Sequence, residues 1–400
     1  MVPPRNPNSI YNRPLIPKFP ESTATNQQLL FMLANGTGGF VIANTNDLLG
    51  GLEKIGKEQN EYYLLGYTPP ESEEGTCHHL DVKVEHTGGA VIRARNGYCY
   101  AKPHDLLAGN SIEKQLETRA AASQSGNTQA SVQAPFFYTS SNVARVNVAM
   151  EISPDTMKFD KEKGKLHGTI NVLGIAYRPD GSTAARFSDA VKLTFENKKE
   201  MEQFKETQLH YENQFDIAAG KYTLKIVFSA GGESFGKVEA PLAIDPYDSA
   251  EFTVSALALS THLQKAADMG GALDAALLED RTPLIAQGFQ IVPAGSYRFK
   301  KDEHPVMYLE VYEPLLVAWK DGKPPTVALQ IRVLDRKTGE QREDTGLFRL
   351  DFPMKEGNPM IPLGLKVPSE KLAPGSYRLE LAAFDQIGKT FKRSADFEIE

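Results

Sequence analysis

An internal repeat limits the fold of this chain more than any other feature of its sequence. Residues 219–226 (AGKYTLKI) return as residues 374–381 (PGSYRLEL), 155 residues later. In both copies a Gly-x-Tyr turn leads into alternating apolar and polar residues, the pattern of a half-buried strand. Further matches, with small insertions allowed, predict a hairpin into a final strand in each copy: Phe235 with Phe391, and Ile244 with Ile399. Because 155 residues exceeds the period of solenoid repeats, we expect two related domains.

The repeated Gly-x-Tyr turn resembles the tyrosine corner of immunoglobulin-like and fibronectin-like sandwiches, in which the phenol hydroxyl bonds to the backbone. Tyr222 and Tyr377 are therefore expected to be structural tyrosine corners and not catalytic residues. Short strands with frequent turns indicate antiparallel sandwiches. The strands predicted for the first domain are 144–152, 167–176, 190–195, 208–215, 222–228 and 234–243. Those predicted for the second are 283–292, 306–312, 326–335, 348–354, 361–367, 377–384 and 390–399.

The predicted fold class is multidomain α/β plus all-β. A length of 400 residues favours two to four domains, and three is the working number. The expected boundaries are an extended Pro-rich segment over 1–22, an α/β domain over 23–102, a helical and polar linker over 103–130, and β-sandwiches over 131–247 and 248–400. A short helix is predicted near residues 263–278 of the last domain.

Composition excludes several classes of protein. Residues are 41% hydrophobic and 24% charged, as in globular proteins, and no run of about 18 apolar residues could span a bilayer. The net charge of −7 argues against nucleic acid as a partner, because phosphate binding requires a basic face. Residues 1–20 carry six prolines and lack the basic and apolar regions of a signal peptide. A secreted protein would then begin upstream of Met1.

The apolar pattern of residues 23–100 predicts alternating helices and strands. Expected are a helix ending at Gly36, a strand over 40–43, a helix opened by Asn46 or Asp47, and a buried parallel strand over 61–68. Strands over 77–86 and 90–99 are predicted to form a hairpin about residues 87–89.

These segments, LLFMLANGTGGFVIANTNDLLGGLEKI, EYYLLGYTPPE and CHHLDVKVEHTGGAVIRARNGYC, resemble the C-terminal part of the von Willebrand factor A-related domain of secreted acidobacterial proteins. The resemblance covers about a quarter of the chain and implies part of a doubly wound α/β sheet. Such domains place a metal site at an Asp-x-Ser-x-Ser loop, which this sequence lacks, so no metal ligand and no cofactor is expected. A partial sheet would leave an edge and apolar surface uncovered. Either another chain covers that edge or, as we favour, the chain is a fragment of a longer protein.

Cys77 and Cys99 are the only cysteines, and they are equidistant from Gly88 at the centre of the predicted turn. Antiparallel pairing places them opposite each other, at a spacing that suits a disulfide. Such a bond persists in an oxidising compartment, so we expect a secreted, periplasmic or cell-envelope protein. Two buried thiols in a cytosolic protein are the alternative. A zinc site is disfavoured because His78 and His79 would point to opposite faces of a strand.

The motifs that suggest catalysis lack the required context. Ser234 lies in a Gly-x-Ser-x-Gly sequence, but its flanks read as hairpin strands and not as the strand and helix of a nucleophile elbow. The Asn35–Gly39 loop follows a helix and precedes a strand, which is the wrong order for a phosphate cradle. Other polar candidates read as solvated or structural residues. These are His167, His262, Asp155 with Asp160, Glu340 with Glu343 and Asp344, and Arg93 with Arg95.

Three functions remain open. We expect a non-enzymatic extracytoplasmic scaffold or protein-interaction protein, with no partner identified. The first alternative is a carbohydrate-binding accessory module that uses the aromatic residues Phe136, Phe137 and Tyr138, although core burial of this segment is favoured. The second is an unrecognised hydrolase that uses Ser234. Trp319, the only tryptophan, is expected either in the core or as an exposed anchor.

Overall fold

The computed structural model describes residues 34, 39–42, 47–60, 63, 66, 77–79, 82–84, 92, 97–99, 105–265, 281–319, 323–350 and 357–400. The described residues from 105 onward belong to one compact unit, and those up to 99 belong to a second. The protein is mostly β-structure arranged in several antiparallel sheets, as the repeat predicted.

The N-terminal unit contains helix α1 (Leu48–Asn60) and the strand pair β1 (Cys77–His79) and β2 (Gly97–Cys99). Asp47 opens the helix, because its side chain accepts a hydrogen bond from Gly50 N at 2.8 Å. Leu49 and Leu52 of this helix are 75% and 64% exposed. These two apolar side chains of α1 are therefore open to solvent within this unit.

The doubly wound sheet of an A-domain is not confirmed. Residues 40–42, from the strand predicted over 40–43, are not in a strand. Residues 82–84, from the strand predicted over 77–86, are not in a strand either. Among the described residues of this unit, the paired strands β1 and β2 are antiparallel. A parallel strand was predicted over 61–68; of these residues only 63 and 66 are described, and neither is in a strand. Arg93 and Arg95 lie outside the described residues.

Helix α2 (Ser111–Ala121) lies within the segment predicted as a linker, but it packs on the first sandwich. Leu116 and Ala120 are buried against Leu173 and Val227 of that sandwich. Arg186 forms ion pairs with Asp105 at 2.7 Å, with Glu117 at 3.2 Å and with Glu113. The segment is thus a layer of the sandwich, because its apolar side chains have a sheet to cover.

Residues 130–247 form sandwich 1. Its strands are β3 (Ala130–Gln133), β4 (Phe136–Ser140), β5 (Val143–Ile152), β6 (Asp160–Glu162), β7 (Lys165–Tyr177), β8 (Thr183–Phe195), β9 (Leu209–Ala218), β10 (Gly220–Ser229) and β11 (Phe235–Ile244), with helix α3 (Lys198–Lys205) between β8 and β9. One sheet has the order β11-β10-β7-β6 with β8 also on β7, and the other has the order β3-β5-β4 with β9 also on β5.

Alternating side chains of the two sheets build the core of sandwich 1. Along β5 the even-numbered residues from Ala144 to Ile152 are buried in it, as the period of a strand requires. Phe187 and Phe215 stack there with ring centroids 5.4 Å apart. Gly174 permits this packing, because a Cβ atom at that position would overlap the ring of Phe187.

Residues 253–399 form sandwich 2. Its strands are β12 (Thr253–Val254), β13 (Ala258–Ser260), β14 (His262–Lys265), β15 (Ile285–Ala286), β16 (Phe289–Val292), β17 (Arg298–Phe299), β18 (Val306–Tyr312), β19 (Ala328–Asp335), β20 (Gln341–Asp344), β21 (Phe348–Arg349), β22 (Met360–Lys366), β23 (Gly375–Phe384) and β24 (Thr390–Ile399), with helix α4 (Leu315–Ala318) after β18. Strands β18 and β24 have the predicted bounds.

The two main sheets of sandwich 2 enclose its core. One has the order β12-β18-β13 with β22 also on β18, and the other has the order β17-β24-β23-β19-β20 with β21 also on β19. A third, smaller sheet has the order β14-β16-β15. It starts where a helix over 263–278 was predicted. That prediction is wrong for residues 263–265, which pair with β16, and residues 266–280 lie outside the described part.

The repeated hairpins are β10-β11 and β23-β24, and they have the same register. Gly220 pairs with Ile244, and Gly375 pairs with Ile399, so both ends are 155 residues apart. The match of Phe235 with Phe391 is wrong by one residue, because Phe235 starts β11 opposite Ser229, whereas Thr390 starts β24 opposite Phe384. Phe235 packs with α2, whereas Phe391 packs against the core of sandwich 2. A slip of one residue exchanges the two faces of a strand.

Both repeated tyrosines bond to the backbone four residues upstream. Tyr222 Oη donates to Ala218 O at 2.9 Å, and Tyr377 Oη donates to Ala373 O at 2.7 Å. Tyr377 is buried, whereas Tyr222 is half-buried. Each hydroxyl thus closes the turn before its strand, the arrangement that defines a tyrosine corner.

Replacing Tyr377 by phenylalanine is expected to lower the free energy of unfolding by about 1 kcal/mol, because Ala373 O loses its donor in a part-buried hydrogen bond. The effect of Tyr222→Phe is expected to be smaller, since water can reach that turn. Chemical denaturation measures both. Tyr177→Phe is the control, because the Tyr177 hydroxyl makes no hydrogen bond with the described residues. Equal losses in all three variants would contradict the structural role of the corner.

Candidate functional site

The candidate site is the joint, which we define as the contacts between sandwich 1 and sandwich 2. It contains buried aromatic and polar side chains. Strand β4 enters it with three aromatic residues, all buried. Phe136 and Tyr138 join the core of sandwich 1, together with Tyr312 of sandwich 2. Phe137, on the other face of β4, packs on Tyr308 with ring centroids 5.2 Å apart. The aromatic segment therefore connects two cores, and its rings are not exposed for stacking on a sugar.

A carboxylate lies at the centre of the joint. Glu310 is 7% exposed, and Tyr308 Oη donates to its Oε1 at 2.8 Å. Tyr312 Oη donates to the other oxygen, Oε2, and accepts a hydrogen bond from Tyr138 N of sandwich 1 at 2.8 Å. Burial raises the pKa of Glu310, whereas the hydrogen bonds from Tyr312 and Tyr308 lower it. Burial and the charge of Glu310 raise the pKa of both tyrosines, so that they remain donors.

Gln133 connects the two sandwiches through its amide. Its side chain is fully buried at the end of β3. Nε2 donates to Ser296 O at 2.7 Å and to Leu259 O at 3.2 Å, and Oε1 accepts from Leu259 N at 3.2 Å. Both ends of the amide are thus used on backbone groups of sandwich 2. Such complete pairing of a buried polar side chain specifies one arrangement of its neighbours.

At Gly295 the backbone of sandwich 2 packs directly on the backbone of sandwich 1. This buried residue of sandwich 2 lies against Met150 and Glu151 of β5. A Cβ atom at Gly295 would lie far inside van der Waals contact with the carbonyl carbon of Met150 and the backbone nitrogen of Glu151. Gly295 N also donates to Glu151 Oε1 at 3.3 Å. Only glycine fits this position, because the clashing atoms belong to a central strand.

Arg393 of β24 completes the joint on its other side. Its Nε donates to Val254 O at 2.9 Å and to Ser255 O at 3.1 Å, and its Nη1 pairs with Asp245 of sandwich 1. The guanidinium lies 5.2 Å from the ring centroid of Phe136, within cation–π range. A single cation thereby contacts both sandwiches.

His210 of β9 lies between two carboxylates at the edge of the joint. Nδ1 is 2.8 Å from Glu151 Oε1, and Nε2 is 3.0 Å from Glu212 Oε1. Glu151 also accepts from Gly295 N, and Glu212 faces Arg281 at 4.0 Å. Burial, the largest influence, lowers the pKa of His210, but the hydrogen bonds and charges of both glutamates together raise it to about 9.

Stability is expected to depend on pH through His210. Its pKa is 6.5 when unfolded and about 9 when folded, so the stabilisation is complete below pH 6.5 and is lost as the pH rises through 9. Urea denaturation of the native chain and of His210→Gln at about pH 6, 7.5 and 9.5 measures this. The difference in unfolding free energy between the two proteins should shrink with rising pH. A difference that is constant over this range would show that the imidazole is not charged in the fold.

A groove lies on sandwich 2 across β19, β23 and β24, lined by both polar and apolar residues. Its volume is about 390 Å³, and polar lining residues include Gln330, Arg332, Glu380, Lys392 and Ser394. Arg332 is engaged by Asp344 at 3.2 Å. The only aromatic lining residue is Phe384, which is half-buried.

The other residues singled out in the sequence lie apart from the joint. Ser234 is buried in the turn between β10 and β11, where its backbone closes the hairpin through Ala230 N at 2.8 Å. No helix follows it, so it is not on a nucleophile elbow. His167 contacts Thr194 at 3.1 Å, whereas His262 lies at the start of β14. In the described ranges no group of three or more His, Cys, Asp or Glu residues could hold a metal ion.

The two cysteines occupy directly opposed positions on β1 and β2. Cys77 pairs with Cys99, and His79 pairs with Gly97, which is the register predicted from the turn at Gly88. The pairing concerns the backbone of the two strands, and the disulfide stays a prediction. The described helices include none that is long and apolar enough to cross a membrane.

Sequence reasoning missed Gln133, Gly295, Glu310 and His210. One signal was available for Glu310. It is the only charged residue of the strand VMYLEVY, and with Tyr308 and Tyr312 two residues away on either side it shares one strand face with two hydroxyl donors. Gln133 and Gly295 carry no such local signal, because their partners lie more than 120 residues away or on the other sandwich.

No protein-family model matches the chain, and no curated protein sequence matches it. Solved structures give weak similarities. A protein from Bacteroides fragilis assigned as a β-galactosidase has a TM-score of 0.21 and 13% identity over 29% of this chain and 16% of that one. Red sea bream transglutaminase has a TM-score of 0.20 and 10% identity over 73% and 34%.

A third structure, from a 1.5-MDa bacterial ice-binding adhesin, has a TM-score of 0.19 and 8% identity over 70% of this chain and 66% of that one. The chain therefore spans between 16% and 66% of the length of these structures. At these TM-scores the similarities support no assignment of fold family or function.

Proposed function

We propose that this chain is a non-enzymatic scaffold or protein-interaction protein outside the cytoplasm, in which sandwiches 1 and 2 act as one rigid body. The observation that carries the proposal is the joint. Two sandwiches on a flexible tether would meet through a small and wet interface. Here Gln133 and the Tyr312–Glu310 pair have buried or part-buried polar bonds across or beside the contact, and Arg393 adds an exposed ion pair with Asp245. Together these bonds favour one fixed arrangement.

Hydrogen exchange of the complete chain tests this rigidity. If the sandwiches are one cooperative body, peptides from β5 and β18 should lose protection together as denaturant is added. Loss of protection in one strand at a denaturant concentration where the other stays protected would contradict the proposal.

The location outside the cytoplasm is supported by the register of Cys77 and Cys99, whose opposed backbone positions suit a disulfide. Thiol titration of the unfolded protein from its native compartment tests it directly. We expect no free thiol before reduction and two after it. Two free thiols before reduction would contradict this location.

Carbohydrate binding is a second candidate, favoured by the groove on sandwich 2. Gln330, Glu380 and Lys392 offer donors and acceptors on one sheet face. The buried aromatic segment of β4 no longer supports this candidate, and Phe384 is the ring available for stacking. A glycan array that is positive for the native chain and negative for Glu380→Ala would establish it, and a negative array with native protein would remove it.

A further inference from the structure

Strand β24 of sandwich 2 has one edge that is open for most of its length. On one side it pairs with β23 along all ten of its residues. Among the strands that the structure describes, only β17 lies on the other side, and it pairs with Glu398 and Ile399 alone. The remaining residues 390–396, which we call the open edge, extend over about 20 Å at about 3.4 Å per residue.

The backbone of β24 points toward the open edge at every second residue. Glu398 N donates to Tyr297 O at 2.9 Å, and Glu400 N donates to Phe299 O at 2.9 Å, so the even-numbered residues point away from β23. Residues of an antiparallel strand alternate between those that bond to the partner and those that point away from it. Outward N–H and C=O groups, which make no hydrogen bond with the described residues, therefore belong to Lys392, Ser394 and Asp396.

Two other strand edges of the sandwiches are bonded to neighbouring segments of the chain. At the edge of β11, Phe235 O accepts from Asn127 N at 2.9 Å. At the edge of β22, Gly364 N donates to Gln287 Oε1 at 3.1 Å. No described segment bonds to the backbone of the open edge in this way. Because a row of unpaired backbone groups is a template for a further strand, the open edge is available to another chain.

The charges beside the open edge favour an acidic partner. Lys392 is exposed and forms no ion pair with the described residues. The acids on the same face of β24 are already paired, Asp396 with Arg378 at 2.7 Å and Glu398 with Arg298 at 3.0 Å. A strand added at the open edge places a residue opposite Lys392, and an opposite charge stabilises such a cross-strand pair.

Sandwich 1 limits what can approach the open edge. Arg393, in the middle of this edge, pairs with Asp245, and its guanidinium is 5.2 Å from the ring centroid of Phe136. Sandwich 1 therefore lies beside the open edge. A second copy of the chain would have to bring a whole sandwich against this flank, whereas a peptide extends the sheet by only about 4.8 Å. The position thus favours a peptide over a second copy.

We propose that the open edge binds an extended peptide of another protein as an additional strand, with an acidic side chain opposite Lys392. Side chains of the added strand would alternate between the two faces of the sheet. One face carries Lys392, whereas the other carries Phe391, which packs partly against the core. Alternating acidic and apolar residues match these two faces. The proposal rests on the proposed role as a protein-interaction protein, and it names the site of that role.

The test uses the complete chain and three short labelled peptides in which valine alternates with glutamate, lysine or threonine. We expect fluorescence polarisation to show the tightest binding for the glutamate peptide. Hydrogen exchange locates the site. In the free protein the amides of Lys392, Ser394 and Asp396 should exchange faster than those of Arg393 and Ala395, and the bound peptide should slow their exchange.

Two substitutions separate the backbone contribution from the charge. Ser394→Pro removes an outward N–H and leaves the ladder with β23 intact, so the affinity for the glutamate peptide should fall at least about tenfold. Ser394→Thr is the matched control, because it keeps the N–H, and its affinity should be unchanged. Lys392→Glu should lower the affinity for the glutamate peptide about tenfold and reverse the preference in favour of the lysine peptide.

Binding of none of the three peptides would overturn the proposal, as would equal affinity of the native chain and Ser394→Pro. Equal affinity for the glutamate and lysine peptides would overturn the acidic partner. Dimers of the native chain that Ser394→Pro abolishes would also overturn the proposal and would indicate a second copy as the occupant. Thermal unfolding verifies that each variant is folded. The open edge belongs to sandwich 2 alone, so these outcomes are independent of the hydrogen-exchange test of the joint.

Discussion

Replacing Gly295 by alanine is expected to lower the free energy of unfolding by about 4 kcal/mol. The new Cβ would overlap the backbone of Met150 and Glu151. Those residues belong to β5, which is paired on both sides with β3 and β9 and cannot move aside. The overlap can therefore be removed only if the segment that carries Gly295 moves away from sandwich 1, and this movement opens the joint.

Chemical denaturation of the complete chain measures the loss, and hydrogen exchange of β5 and β18 shows whether the sandwiches separate. Gly375→Ala is the control. A Cβ atom at Gly375 would meet only the ring and hydroxyl of Tyr377, at 3.4 Å and beyond, so a change below about 1 kcal/mol is expected. A loss as small for Gly295→Ala as for Gly375→Ala would mean that the two backbones do not meet at Gly295.

The second large effect is expected for Gln133→Leu. Leucine is similar in volume but leaves Leu259 N, Leu259 O and Ser296 O without their side-chain partner. An unpaired buried polar group costs about 1–3 kcal/mol, so a total loss of about 3 kcal/mol or more follows. Gln290→Leu is the control, because the Gln290 side chain has no hydrogen bond with the described residues. Equal stability of the two variants would contradict this role of Gln133.

Gln133→Glu separates lost hydrogen bonds from lost packing. A glutamate keeps the shape and can still accept from Leu259 N, but its second oxygen faces Ser296 O and Leu259 O at the position of the donor Nε2. The variant should be unstable at neutral pH and recover in part as the pH falls, because a protonated carboxyl again supplies a donor. A stability loss that does not change with pH would assign the effect to packing.

Much of the sandwich architecture follows from the sequence, because strand periodicity and turn chemistry are local. The bounds of β18 and β24 match the predicted bounds, and Tyr222 and Tyr377 make the bonds expected from the Gly-x-Tyr repeat. The error at Phe235 and Phe391 has an equally local cause. An aromatic residue was matched to an aromatic residue, whereas hairpin register is set by turn length, which is the same in both copies.

The joint could not be predicted from the sequence, because its energetics depend on pairs that are distant in sequence. An apolar pattern shows that Phe136 and Phe137 are buried, but not that the two rings face different sandwiches. Helix α2 was similarly predicted as a helix and misplaced as part of a linker, since its partner sheet is built from β7 and β10. Polar residues such as Gln133 read as surface residues until the partner groups are known.

The central claim is that sandwiches 1 and 2 form one rigid body, and an electron spin distance measurement tests it most directly. Spin labels at the exposed residues Lys192 and Lys366 span the joint, with Cys77 and Cys99 replaced by serine. A second pair, Lys192 and Lys221, lies within sandwich 1. It gives the width of the distance distribution that arises from motion of the labels alone. We predict a single distribution of distances between the sandwiches, as narrow as that of the control pair. A broad or multiple distribution across the joint, with a narrow control, would contradict the claim.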